Sequence, residues 1–176
     1  YAGYSETQGG RDASEADISR RKLRSYFLPP FERAARAGAM MFMTGYQSMD
    51  GVPSTASKWL LREVLKDEWG FPGVLVTDWD NVGRLVHEQK VAATYADAAT
   101  MAIRAGNDLI MTTPKFYEGA IEAVKSGQLK ESEIDEPLKR LLALKFRMGL
   151  FENPRRPDLA KAAAEVARPD HRAAVL

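Results

Sequence analysis

The segment GVLVTDWDNV (73–82) carries four apolar or β-branched residues, Val74-Leu75-Val76-Thr77, straight into Asp78-Trp79-Asp80. A run of that kind suits a strand buried on both faces. A carboxylate at the end of such a strand is costly to bury unless a partner or a ligand uses its charge. In parallel α/β folds ligands bind at the C-terminal ends of strands, so Asp78 falls where chemistry is done. The competing role is a helix cap or a salt bridge. Asp80, two residues on and ahead of Asn81-Val82, reads as an N-cap. By the same positional rule Gly45-Tyr46-Gln47, after the methionine-rich run 39–44, and Thr112-Thr113, after 108–111, lie on the functional face. Asp108 opens its run, lies at the other end and reads as structural.

Other chemistries are poorly served. There is no cysteine, which excludes disulfides, thiolate metal sites and cysteine nucleophiles. His87 and His171 are far apart and lack metal-ligand spacing. No glycine-rich phosphate loop follows a strand, since QGGRD lacks the pattern, and no G-x-S-x-G elbow occurs. The methionines of 40–43 read as core packing rather than a cofactor site. With 25 Lys and Arg against 24 Asp and Glu, the net charge of +1 leaves no footprint for nucleic acid or an anionic membrane. The basic clusters Arg20-Arg21-Lys22 and Arg155-Arg156 read as solvated. No apolar run approaches the roughly 18 residues a membrane span needs. The chain opens at Tyr1 without a methionine, which suggests a start internal to a longer protein and leaves cytoplasmic and secreted locations open.

The elements that must position these residues follow from period and punctuation. Residues 1–17 read as a loop. Ser19 caps a helix to about Ala37 with Leu23, Phe27 and Phe31 at helical spacing, kinked or divided by Pro29-Pro30 and closed by Gly38. A strand covers 39–44, a loop 45–57 and a helix about 58–69. The Gly73–Thr77 strand and a short helix follow. A helix from about Tyr95 ends at Gly106, and 108–111 makes a third buried strand. Pro114 suits the first turn of a helix that stops near Ser126-Gly127. Ser132-Glu133-Ile134-Asp135 reads as a capping box opening a helix to Gly149. Residues 150–167 are a plausible linker, and RPDHRAAVL begins a further element. Continuous apolar strands alternating with helices indicate an α/β fold with a parallel sheet covered by helices, either a (β/α)8 barrel or an open doubly wound sheet. A barrel takes eight strands and about 250 residues, so three strands make only part of one.

The stretch MTGYQSMDGVPSTASKWLLREVLKDEWGFPGVLVTDWDNV (43–82) closely resembles glycoside hydrolase family 3, of the β-glucosidase type. The flanks GYSETQGGRDASEADISRRKLRSYFLPPFERA (3–34), AIRAGNDLIM (102–111) and FRMGLFENP (146–154) agree in order and spacing. The resemblance implies that residues 1–149 are the C-terminal portion of a (β/α)8 TIM-like barrel and that 150–176 link to a second α/β domain. It implies a retaining exo-β-glycosidase that hydrolyses terminal β-glucosides or oligosaccharides through a covalent glycosyl-enzyme. The family's nucleophile maps to Asp78 in Thr77-Asp78-Trp79. Trp79 and Tyr46 map to residues lining the sugar site, and Met43 to a wall of the pocket. No organic cofactor or metal is implied.

Those residue types suit that chemistry. Two carboxyl groups about 5–5.5 Å apart flank the bond in retaining enzymes, one attacking carbon and one moving the proton. Flat aromatic faces receive the C–H side of a sugar. The sequence also departs from the family pattern. The Lys-His pair and the earlier arginine and aspartate sugar ligands are absent, and the acid/base of this branch is expected outside the chain, so neither Glu88 nor Glu118 is assigned that role. Activity is therefore expected only with the remaining segments of the same enzyme. The single-domain N-acetylglucosaminidase branch fits less well, because SETQGGRDAS has no histidine. The alternatives are a non-catalytic carbohydrate-binding fragment or subunit, and an unrelated barrel lyase or aldolase. The lack of a strand-end lysine in 39–44, 73–77 and 108–111 counts against the latter.

Overall fold

Helix 20–36 (α1) opens where Ser19 accepts the Lys22 N–H through its side chain, satisfying one donor that the first turn leaves free. The helix does not break at Pro29-Pro30. Instead the turn before them, Leu23–Phe27, widens to π geometry, and Leu28 N–H reaches the Leu23 carbonyl. This shift of register carries the chain into Leu28–Arg36 with both prolines in the next first turn, where their missing donors cost little. Gly38, at φ 93, then ends the helix. Its N–H meets the Ala35 carbonyl while Ala39 N–H meets that of Ala34, a Schellman closure.

The computed structural model describes residues 1–175 and divides into two compact units, Tyr1–Leu144 and Lys145–Leu176. In the first, β1 (Glu15–Ala16), β3 (Ser48–Met49) and β4 (Val52–Pro53) form a small sheet. It sits within stretches that the sequence reads as loops, because strands of two residues carry no periodic signal. The second sheet pairs β2 (Met41–Met43) with β5 (Val74–Val76) in parallel, Phe42 opposite Leu75 and Met43 opposite Val76. Between them lies α2 (Trp59–Glu68), wound as a π-helix, with Leu60, Leu61, Val64 and Leu65 buried. The core of this half combines those residues with Leu23, Leu28, Phe42, Phe71 and Leu75.

After β5 come α3 (Asn81–His87), α4 (Tyr95–Ala105), α5 (Phe116–Lys125) and α6 (Glu131–Arg147). Thr94 and Asp97 form a reciprocal capping box at the start of α4. Close packing of α5 on α4 depends on Gly119, where a Cβ would lie 2.6 Å from the Tyr95 carbonyl oxygen. The second unit contains Leu159–Glu165 and Pro169–Ala173 as short helices, with its described residues mostly exposed. No helix among the described residues is long and apolar enough to cross a membrane.

Several sequence expectations need correction. Residues 108–111 do not form a strand. Leu109 makes a single parallel bridge to Val76, and Leu109, Ile110 and Met111 stay half-buried, because the segment has a ladder on one side only. β2 is not covered on both faces either, since Met41 and Met43 are each 41% exposed. Pro114 lies ahead of α5 rather than inside its first turn. Ser132 lies inside α6, which begins at Glu131. Glu133 instead reaches back to the Lys130 N–H, half of the expected box placed two residues earlier.

Candidate functional site

The last backbone bond between β2 and β5 runs from Thr44 N–H to the Val76 carbonyl. Beyond it both strands end, and their loops carry the polar residues. Thr77, fully buried, spends its N–H on the Leu109 carbonyl, and its Oγ1 accepts the Met111 N–H at 2.9 Å. The residue preceding Asp78 is therefore fixed to two neighbouring segments.

Asp78 is half-buried, with one oxygen committed. Its Oδ1 accepts the Tyr46 hydroxyl at 2.8 Å and the Trp79 backbone N–H at 2.6 Å. Neither donor is a cation, so these two bonds orient the carboxylate without forming an ion pair. Burial and the adjacent Asp78 charge push the Tyr46 hydroxyl up to about 12, so it remains a donor at any physiological pH. The Arg84 guanidinium stacks 4.3 Å from the Tyr46 ring centre and also binds Glu88 at 2.6 Å. Trp79 projects its side chain into solvent, 59% exposed, directly beside Asp78. Met43 closes β2 opposite Val76 with its side chain half-exposed.

The structure thus joins Tyr46 to Asp78, with Trp79 next in chain and Met43 at the end of the adjoining strand. Asp80 occupies the position before α3, at φ 54, but makes no side-chain cap. Its carboxylate lies over Gly83 in the first turn and is bonded to His87 Nε2 at 2.9 Å. Glu88 is occupied by Arg84, and Glu118 lies exposed on α5. Among the described residues no group of histidines and acids could hold a metal ion.

Three residues were missed in the sequence reading. Asn81 is 1% exposed and donates through Nδ2 to the Thr44 and Gly45 carbonyls at 3.1 and 3.2 Å. Gln89 Nε2 donates to the Tyr46 carbonyl at 3.0 Å. Arg84 supports the Tyr46 ring. The one available signal was a small polar amide, Asn81, set between a strand end and Val82-Gly83.

The family model for the glycosyl hydrolase family 3 N terminal domain matches residues 1–144. The chain belongs to glycosyl hydrolase family 3. A lysosomal β-glucosidase of Dictyostelium discoideum is 40% identical over 88% of the chain, which covers 19% of that protein. A β-xylosidase of Formosa agariphila is 35% identical over 98% of the chain and 25% of its own length. The solved structure of a β-glucosidase involved in saponin metabolism, from intestinal bacteria, superposes with a TM-score of 0.92 at 60% identity. That match covers 98% of this chain and 22% of the other. The chain therefore spans between about a fifth and a quarter of the length of these family 3 relatives, which are named for action on β-glucosides and β-xylosides.

Proposed function

We propose that this chain supplies the nucleophile side of a retaining exo-β-glycosidase acting on terminal β-glucosides, with the remaining segments of the same enzyme supplying the rest of the site. The observation that carries this reading is the asymmetry of Asp78. Tyr46 and the Trp79 amide both engage Oδ1, and Oδ2 has no protein donor among the described residues. A half-buried carboxylate oxygen held in a fixed direction at a strand end suits attack on an anomeric carbon.

In the first step Oδ2 forms a bond to the sugar's C1. The bond from C1 to the leaving oxygen breaks, and that oxygen takes a proton from an acid supplied by another part of the enzyme. In the second step the same group removes a proton from water, water oxygen bonds to C1, and Asp78 departs as the carboxylate. The exposed Trp79 ring offers a flat face to the sugar, and Tyr46 keeps Oδ1 oriented throughout.

The barrel reading belongs with this proposal. β2 and β5 run parallel, and Leu109 continues the same direction beside β5. An open groove of about 650 Å³, lined by Ile110, Phe116, Ile121, Ile134, Leu138 and Leu141 among others, lies beside that half-paired segment. Further strands and helices of the same enzyme would cover it, and the greater length of the relatives supports that.

The deciding experiment treats the assembled enzyme with a 2-deoxy-2-fluoro-β-glucoside and maps the adduct by mass spectrometry. A stable glycosyl ester on Asp78 is the expected result. A label on another residue, sugar binding with no label, or full turnover by Asp78→Ala overturns the reading.

A further inference from the structure

We propose that Asn81 is a positioning residue that sets the distance between the Tyr46 hydroxyl and Asp78. The inference rests on the reading of Asp78 given above and adds a residue to it. Past the Thr44–Val76 backbone bond the ladder stops, and among the described residues no further backbone bond joins the two strand-end loops. Asn81 takes over at that point. Its backbone N–H donates to the Asp78 carbonyl at 3.2 Å, which ties it to the loop that bears the carboxylate. Its side-chain amide donates to the carbonyls of Thr44 and Gly45, the two residues immediately before Tyr46. The Thr44 hydroxyl oxygen lies 3.5 Å from the same nitrogen.

A closed circuit results. It runs from Asp78 to Asn81 along the chain, across the Asn81 amide to Gly45, on to Tyr46, and back through the Tyr46 hydroxyl to Asp78 Oδ1. Each link is short, and Asn81 is fully buried, so its amide cannot exchange these acceptors for water without leaving carbonyls unpaired. Gly45 gives the circuit its room, because a Cβ there would collide with the Gln47 side chain. The groups set against Tyr46 from other segments are Asp78, Arg84, Asp12 and Gln89, whose Nε2 donates to the Tyr46 carbonyl, on the far side of the residue from the hydroxyl. Arg84 bears on the ring from one side, and neither it nor Asp12 spans the two loops as Asn81 does.

A double-mutant cycle in the assembled enzyme tests this. Asn81→Ala is expected to lower kcat/KM about tenfold when Tyr46 is present, and to have less than about a twofold effect when combined with Tyr46→Phe. A crystal structure of the Asn81→Ala enzyme should show the gap from hydroxyl to carboxylate opened past hydrogen-bond range. If Asn81→Ala does not fold, Asn81→Ser takes its place. Its side chain is one bond shorter and has a single proton to donate, so it cannot serve both carbonyls. Equal losses in both backgrounds, or a variant structure with the Tyr46–Asp78 bond intact, overturn the proposal. Failure of the Asp78 reading would show separately, as a fluoro-sugar label on another residue, and the variant structure still decides the role of Asn81 in that case.

Discussion

Two aspartates stand against β5, and the structure treats them in opposite ways. Asp108 is 1% exposed at its side chain, and Lys66, 2% exposed, donates to its Oδ1 at 2.7 Å. Its Oδ2 accepts the Leu75 N–H, so both oxygens are spent. Asp78 is half-buried, its donors are a hydroxyl and a peptide, and one oxygen has no protein donor among the described residues. Burial lifts the Asp108 carboxyl above its ordinary value and lowers the Lys66 ammonium, with their mutual attraction opposing each shift. With both oxygens engaged, Asp108 ties Lys66 of α2 to the Leu75 N–H of β5. A carboxylate with one oxygen open beside the exposed Trp79 ring is what the proposed role of Asp78 draws on. Asp78 follows the C-terminal end of β5, where the ladder stops, and Asp108 lies deeper, beside Leu75.

The largest effect that would sharpen this contrast is on turnover. Asp78→Ala in the assembled enzyme should cost ~10⁴-fold or more in kcat, the scale of an essential catalytic group, while stability stays within about 1 kcal/mol. Steady-state kinetics beside a urea melt measures both. The converse experiment is Asp108→Ala, which strands a buried ammonium and should destabilise by about 3–5 kcal/mol. Pairing Asp108→Leu with Lys66→Met should recover most of that loss, because no uncompensated charge remains. An Asp108→Ala enzyme that keeps its stability but loses turnover would erase the distinction between the two acids.

Next in size is Tyr46→Phe, which removes one of the two donors to Asp78 Oδ1 and should cost roughly ten- to a hundredfold in kcat/KM, the range for a hydrogen bond to a charged group. The smallest effect belongs to a third carboxylate, Glu133. Arg104 and the Lys130 N–H hold it down to about 2, against an ordinary value of 4.5. Its folded pKa is depressed, so its contribution to stability is complete above about pH 4.5 and is lost as pH falls from there toward 2. The pair is largely solvated, so Glu133→Gln should flatten the acid limb of a pH–stability curve by about half a kcal/mol at most.

How much of this was legible depended on how far away each residue's partner lies. Ser19 as a cap and Gly38 and Gly106 as helix ends could be read directly, since each closes bonds within a few residues of itself. The π turn before Pro29-Pro30 was not legible, although the prolines were, because the chain had two ways to tolerate them and packing of Leu23 and Leu28 into the core selected one. Asp80 was misread for a related reason. A cap requires an extended backbone, and the tight turn out of β5 gives it a left-handed one and His87 as partner. The strand expected at 108–111 has suitable residues but keeps a single bridge to Val76, because the Met111 N–H goes to the Thr77 hydroxyl instead of a backbone carbonyl.

The sequence by itself determined that an apolar run delivers Asp78 to a strand end, that Tyr46 follows the neighbouring strand, and that Asp108 enters its segment from the other side. Chain direction and side-chain type are sufficient for those conclusions. Only the tertiary structure decided that Tyr46 meets Asp78 through one oxygen, that Asn81 bridges their loops, and that Lys66 neutralises Asp108. Their partners lie 32, 36 and 42 residues away along the chain. Contacts at that separation exist only after the sheet has formed, so no local pattern in the sequence encodes them.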